Sequence, residues 1–315
     1  MQSVAFASIG ECMIELSGGK HDTWQMGFAG DTFNTAWYAR AMLSESERVA
    51  YVTALGDDPF SQRMRKFMAD AGVGTDRIRT AEGRRPGLYA ITLQGAERTF
   101  TYWRGESAAR TLADDPEWLK GALAGAKLLY FSGITLGILA PAMRDRLLDA
   151  LAERRAAGAT IAFDTNFRAA LWPERSAARE AMLSAYRVAD IVLPSFDDEK
   201  ALFGDRSPEA TADRIAASGV REIVVKNGSE ASLLATLRVR KEVPAVEAER
   251  VVDTTGAGDA FAGAYLAGRL GGLPPVQSAR LGHAVAAQVI GVHGALAKVD
   301  MQAALKRSMR DAPTA

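Results

Sequence analysis

Apolar residues in this chain fall into short runs, and most of the runs close on glycine or on a polar cluster. Val4 to Ile9, closed by Gly10, has the length and continuity of a buried strand. Met13, Ile14 and Leu16 carry the pattern into a hairpin near the surface, and Gly27 to Asp31 reads as a turn. Asp31 can then N-cap a helix from Thr32 to Leu43. Val49 to Leu55 predicts a strand, and Pro59 to Ala71 a helix with proline in its first turn. Between Leu88 and Arg104 the period drops to two. Leu88 to Leu93 and Arg98 to Arg104 are strand-like runs joined by Gln94-Gly95-Ala96-Glu97, a hairpin signal. Alternation puts Phe100, Tyr102 and Arg104 on one face and Thr99, Thr101 and Trp103 on the other. A strand pair set apart in this way predicts a small β-sheet standing off the main body, a candidate lid.

Beyond it, strands and helices alternate. Lys127 to Ser132, Thr160 to Asp164, Asp190 to Leu193 and Glu222 to Lys226 read as strands, with helical patterns at Ala140 to Ala157, Glu174 to Ala185 and Pro208 to Ser218. Repeated β-α units predict an α/β fold, a mostly parallel sheet with helices on both faces. Ala231 to Thr236 and Arg238 to Pro244 add a late hairpin. Helices follow at Ala257 to Arg269, Pro275 to Ile290 and Asp300 to Met309, before a tail, Asp311 to Ala315, expected to fray.

Composition narrows the class. The 315 residues suit one large α/β domain with a small accessory part. Lys plus Arg equals Asp plus Glu at 38 each, so nothing favours a nucleic-acid or membrane surface. Cys12 is the single cysteine, which excludes an internal disulfide and fits a reducing cytoplasm. Glu11 and Glu15 interrupt the apolar start, so no signal peptide is expected, and no apolar run reaches membrane-spanning length. His21, His283 and His293 are scattered and form no metal cage.

Candidate chemistry gathers where predicted strands end, the usual place for ligands in open α/β sheets. The central stretch is Asp253-Thr254-Thr255-Gly256-Ala257-Gly258-Asp259-Ala260-Phe261. Gly256 and Gly258 let the backbone approach a ligand closely, and the free N–H groups of the following helix point into the turn, an anion site. Asp259 would repel a resting phosphate from there. That conflict assigns it another task, taking the proton of an attacking hydroxyl while the Gly256, Ala257 and Gly258 N–H groups hold the phosphoryl group. A dinucleotide fingerprint is excluded by Phe261 at its sixth position, and the chain has no P-loop Gly-Lys-Ser/Thr. The plain alternative is an ordinary loop with a helix-start acid.

Arg168 offers a planar fork for carboxylate or phosphate, or pairs with a nearby acid at the surface. Asp198 and Glu199 could hold magnesium, directly or through water, or be a solvated acidic helix start. Lys226-Asn227-Gly228 could meet nucleotide phosphates or be a plain turn. Asp31 and Asn34 share a helix face and could bind sugar hydroxyls, with an N-cap role as the alternative for Asp31. Tyr89, Tyr102 and Arg104 on the lid suit a small acidic polyol; packing is the alternative for the tyrosines.

The run from Asp253 to Phe261 resembles the C-terminal signature of PfkB-type (ribokinase-like) carbohydrate kinases. Ile9 to Leu16, Gly30 to Ala36, Tyr51 to Gly56, Arg85 to Tyr89, Glu97 to Arg104, Phe131 to Ile134 and Phe163 to Arg168 extend the resemblance over nearly the whole chain, and toward the 2-keto-3-deoxygluconate kinase branch. It implies a ribokinase-like fold spanning residues 1–315 as a single domain, with a β lid from segments around 12–30 and 87–105. It implies Mg-ATP-dependent phosphorylation of a sugar acid on its terminal hydroxyl, with a neutral-sugar kinase or a non-catalytic sensor as alternatives. By position, Gly30, Asp31, Asn34, Tyr89, Tyr102, Arg104 and Arg168 would hold the sugar acid. Asn166, Arg168, Ser195, Lys226, Gly228, Gly256, Ala257, Gly258 and His283 would surround the nucleotide, with Asp259 as base. Ser195-x-x-Asp198 followed by Glu199 departs from the Asn-x-x-Glu metal-linked motif of many relatives. Asp253 and Thr255 could line a monovalent-cation site. An apolar outer lid surface would favour a homo-oligomer.

Overall fold

The structure, a computed structural model of the protein, describes residues 3–18, 23–94 and 97–310. Ten of its strands form one sheet. Nine lie side by side in the order Arg240–Val243, Ser232–Thr236, Glu222–Val225, Ile191–Val192, Thr160–Asp164, Ala126–Ser132, Val4–Ile9, Val49–Leu55, Val73–Gly74, and Ile78–Thr80 pairs beside Val49–Leu55. All neighbours are parallel except in the late hairpin, where Glu222–Val225, Ser232–Thr236 and Arg240–Val243 run antiparallel. Continuous apolar runs become strands here because both faces are covered. On Ala126–Ser132, Leu129 and Phe131 enter one core while Leu128 and Tyr130 enter the other. Helices Pro141–Ala156 and Arg175–Val188 cover the first face; Asp31–Met42, Pro59–Asp70 and Ala257–Leu270 cover the second. Among the described residues, no helix is long and apolar enough to cross a membrane.

A separate four-stranded sheet, Trp24–Ala29, Met13–Gly18, Leu88–Gln94 and Glu97–Trp103, forms the lid. Tyr89 lies directly opposite Tyr102 in it. Phe100 stacks on Tyr102 at 6.3 Å and the Arg104 guanidinium lies 5.8 Å from the Tyr102 ring, as the alternation predicted. Gly95 and Ala96 of the expected turn and the tail 311–315 lie outside the described residues.

Two expectations change. The stretch read as a turn from Gly27 to Asp31 is mostly strand, because Trp24–Ala29 pairs along its whole length with Met13–Gly18. Asp31 is not an N-cap. Gly30 takes that position and Asp31 is the first helical residue, its side chain turned toward the ends of neighbouring strands.

Candidate active site

The site lies at the carboxyl ends of the central strands, where strand order departs from chain order on either side of Val4–Ile9. Gly256, at φ 77°, N-caps helix Ala257–Leu270, and its left-handed backbone suits glycine. A Cβ there would also stand 2.8 Å from the Ala295 carbonyl oxygen. Asp259 falls in the first turn of that helix. The Asn34 Nδ2 donates to Asp259 Oδ2 at 2.8 Å, joining residues 225 positions apart. This is possible because helix Asp31–Met42 crosses Ala257–Leu270 closely, with Gly263 at the crossing.

Three carboxylates converge here. Asp31 accepts from the Ser132 hydroxyl and from Asn166 Nδ2 at 3.0 Å. Asp164, at the end of strand Thr160–Asp164, is buried and pairs with Lys226 Nζ at 2.6 Å. Burial, then the neighbouring charge of Asp31, lifts Asp259 from the usual carboxylate range to about 7; Asp164 adds to the rise, while Asn34 and Lys226 oppose it. A carboxylate poised there can accept a proton at neutral pH. Asn166 sits at φ 30°, the one non-glycine residue in left-handed backbone among those described, with its amide on Asp31.

Beside the turn opens a cavity of about 800 Å³. Ser195, Lys226, Gly228, Ala257 and Gly258 line its polar end, and Phe261, His283 and Ile290 its apolar part. His283 meets Phe261 edge-on at 4.9 Å and shares a hydrogen bond with Ser232 at 2.8 Å. Burial lowers it to about 4, so the imidazole is neutral at pH 7. The volume, an apolar slot for a base, and a lysine beside a glycine turn fit a nucleoside triphosphate, although the Ala257 N–H of that turn, expected to be free, donates to the Thr254 carbonyl at 3.2 Å. A Cβ on Gly258 would lie 3.5 Å from Lys226 Nζ, so turn and ammonium face the same point.

The remaining predicted residues divide. Arg168 is half exposed, donating to its own Phe167 carbonyl and lying 3.5 Å from Asp198 Oδ1. Asp198 Oδ2 accepts from the Phe167 N–H at 3.2 Å, and burial raises its carboxyl. Glu199 does not join Asp198. It is fully buried, accepts from Tyr186 at 2.8 Å and pairs with Arg214, because one helical step turns it into the core. The metal pairing of Asp198 with Glu199 is therefore corrected. No cluster of three potential metal-ligating residues occurs among those described. A magnesium ion held by a single carboxylate and by phosphate oxygens still fits Asp198. Asp253 accepts from the N–H groups of Thr255 and Gly294, each at 2.9 Å. The Tyr89 hydroxyl donates to Glu15, and Arg104 is paired with buried Glu11. Sequence reasoning gave no role to Asp164, Ser132 or Glu11. The signal for the first two was their place as the last residue of a strand.

Comparison with known proteins gives consistent matches. The family model described as pfkB family carbohydrate kinase matches residues 5–301. The 2-dehydro-3-deoxygluconokinase of Dickeya dadantii is 41% identical over 303 residues, covering 94% of this chain and 97% of that protein. Among solved structures, 2-dehydro-3-deoxygluconokinase from Thermotoga maritima superposes with a TM-score of 0.82 at 22% identity, covering 98% of each chain. A putative ribokinase II from E. coli, crystallised with ATP and Mg²⁺, gives a TM-score of 0.81 at 22% identity, covering 94% of this chain and 95% of that one.

Proposed function

The chain belongs to the pfkB family of carbohydrate kinases, and from that premise we propose that it phosphorylates 2-keto-3-deoxygluconate (2-dehydro-3-deoxygluconate) with ATP. The product is the 6-phosphate. Asp259 takes the proton of the 6-hydroxyl as its oxygen bonds to the γ-phosphorus and the bond to the bridging oxygen of ADP breaks. General-base help of this kind contributes roughly 10²- to 10⁴-fold. The N–H groups of Gly256 and Gly258 face the charge spreading over the transferring group, Ala257 joins them by exchanging its bond to the Thr254 carbonyl, and Lys226 adds a cation. Ser195, Gly228 and His283 line the nucleotide side, while Asn166 donates to Asp31 on the sugar side. Magnesium, when bound with the triphosphate, neutralises phosphate charge, and Asp198 would hold it directly or through water. Gly30, Asp31, Asn34, Tyr89, Tyr102, Arg104 and Arg168 hold the sugar acid, Arg104 meeting its carboxylate. The outer face of the lid joins copies of the chain into a homo-oligomer.

The observation that carries this reading is the Asn34–Asp259 contact at the glycine turn, with Asp259 raised to about 7. The test is ADP release with 2-keto-3-deoxygluconate and Mg-ATP. Asp259→Asn should cut kcat by about 10²- to 10⁴-fold while ligand binding persists; full activity in that variant rejects the mechanism. A neutral-sugar kinase is the second reading, and Arg104 separates the two, because only a sugar acid offers its guanidinium a carboxylate. Arg104→Ala decides between them. It should raise KM for the sugar acid at least about tenfold more than for fructose or ribose. Equal shifts would remove the carboxylate assignment.

A further inference from the structure

Glu11 sits where the chain first leaves the central sheet for the lid, two residues beyond strand Val4–Ile9 and two before strand Met13–Gly18. The chain passes between the two sheets three more times, at Gly30, at Gly87 and at Arg104, and each crossing meets Glu11. A Cβ on Gly30 would stand 2.2 Å from the Glu11 carbonyl oxygen. One on Gly87 would stand 2.7 Å from Glu11 Oε1 and 3.1 Å from Arg104 Cβ. At the fourth crossing, Arg104 donates through Nε at 2.9 Å, and also through Nη2, to the single oxygen Glu11 Oε2. The Glu11 side chain is fully buried and that of Arg104 is 11% exposed.

The energetics speak against a stabilising role as the reason for this pair. Glu11 Oε1 is buried with no hydrogen-bond partner. An orphaned buried acceptor costs about 1–3 kcal/mol, and a buried ion pair often gains less than an apolar replacement would. The geometry supplies a different reason. With Nε and Nη2 both tied to one carboxylate oxygen, the guanidinium plane is fixed, and no partner for Nη1 occurs among the described residues. Arg104 is also close enough to oppose the rise in the Asp31 carboxyl, which places its charge toward the sugar side of the site.

We infer that Glu11 is a positioning residue. It holds Arg104 in the orientation that meets the substrate carboxylate, and fixes the lid at the point where all four crossings converge. The inference rests on the assignment of Arg104 to the sugar acid made above, and deepens it: selectivity for an acid depends on a carboxylate that does not touch the substrate.

The test uses the intact enzyme and steady-state kinetics with 2-keto-3-deoxygluconate. Glu11→Asp keeps the charge but withdraws the acceptor by about 1.5 Å. It should raise KM for the sugar acid about tenfold while KM for ATP stays within about twofold. Glu11→Gln, which keeps an acceptor in place, should restore most of that loss. In an Arg104→Ala background, Glu11→Asp should add no more than about a twofold change, because there is no guanidinium left to orient. Unchanged KM for the sugar acid in Glu11→Asp, or the same loss with and without Arg104, overturns the inference. If Glu11→Asp fails to fold, the Glu11→Ala and Arg104→Ala cycle is read instead, and additive losses there overturn it equally. Absence of turnover in the parent enzyme would reject the activity, a result distinct from either.

Discussion

Asp259 is lifted to about 7 by burial and by its neighbour Asp31, and the consequence is a pH profile. The acid form persists to about 7 because the site is desolvated and Asp31 adds a second negative charge. A base works only when ionised. Thus kcat/KM should climb about tenfold per pH unit below 7 and level above it, following the free enzyme. Asp31→Asn removes one of the charges that raise Asp259, so the midpoint of that limb should move to lower pH, whatever happens to its height. A limb that stays at 7 in Asp31→Asn would show that another group sets it. At this scale the sequence was informative where a residue's position depends on local backbone. The place of Asp259 in the first turn after two glycines, and of Asn34 one helical turn from Asp31, is legible from spacing alone. It was uninformative where the role depends on which way a helix faces. Asp198 and Glu199 are adjacent letters, yet one approaches Arg168 and the other is sealed against Tyr186 and Arg214.

Between elements, the decisive contact is the crossing of helices Asp31–Met42 and Ala257–Leu270. A Cβ on Gly263 would stand 2.6 Å from the Thr35 carbonyl oxygen, 2.8 Å from Tyr38 Cβ and 3.0 Å from the Ala39 nitrogen. Two of these are backbone atoms, so relief requires the helices to part. Gly263→Ala gains about 1 kcal/mol of helix propensity. Overpacking a tight contact costs about 1–3 kcal/mol, so the variant should be destabilised in urea unfolding. It should also lose kcat, because the same crossing brings Asn34 to Asp259; a variant with parental stability and kcat would show that the helices separate freely. Gly263 lay inside a run of small residues and gave no sign of this in one dimension. Long buried strands were legible because their apolar runs are uninterrupted, as in Val49 to Leu55. Gly27 to Ala29, the end of strand Trp24–Ala29, falls within the stretch whose glycines predict a turn, and only pairing with Met13–Gly18 makes it a strand. Val73–Gly74 and Ile78–Thr80 are too short to show any period at all.

Across the whole molecule, the parallel sheet follows from repeated β-α units, whereas the use of the lid's outer face depends on something outside a single chain. The lid's two faces differ. Glu15, Tyr89 and Tyr102 share one face, since they pair directly across strands, and the Arg104 guanidinium lies against the Tyr102 ring on it. Trp103 is one residue on and therefore points the other way, 59% exposed, and Trp24 is 43% exposed. Large aromatics on an open four-stranded sheet, with unpaired edges at Trp24–Ala29 and Glu97–Trp103, form a surface suited to association. Trp103→Arg places a charge there without touching Arg104's pair. In sedimentation velocity the parent should run as an oligomer of the 33.7 kDa chain, and the variant should shift toward the monomer with dilution. If association holds the lid in place, KM for the sugar acid should rise as the oligomer dissociates, while KM for ATP, whose cavity lies on the sheet side, should not. A parent that is monomeric at micromolar concentration would remove the lid as an interface and leave its tryptophans without a partner.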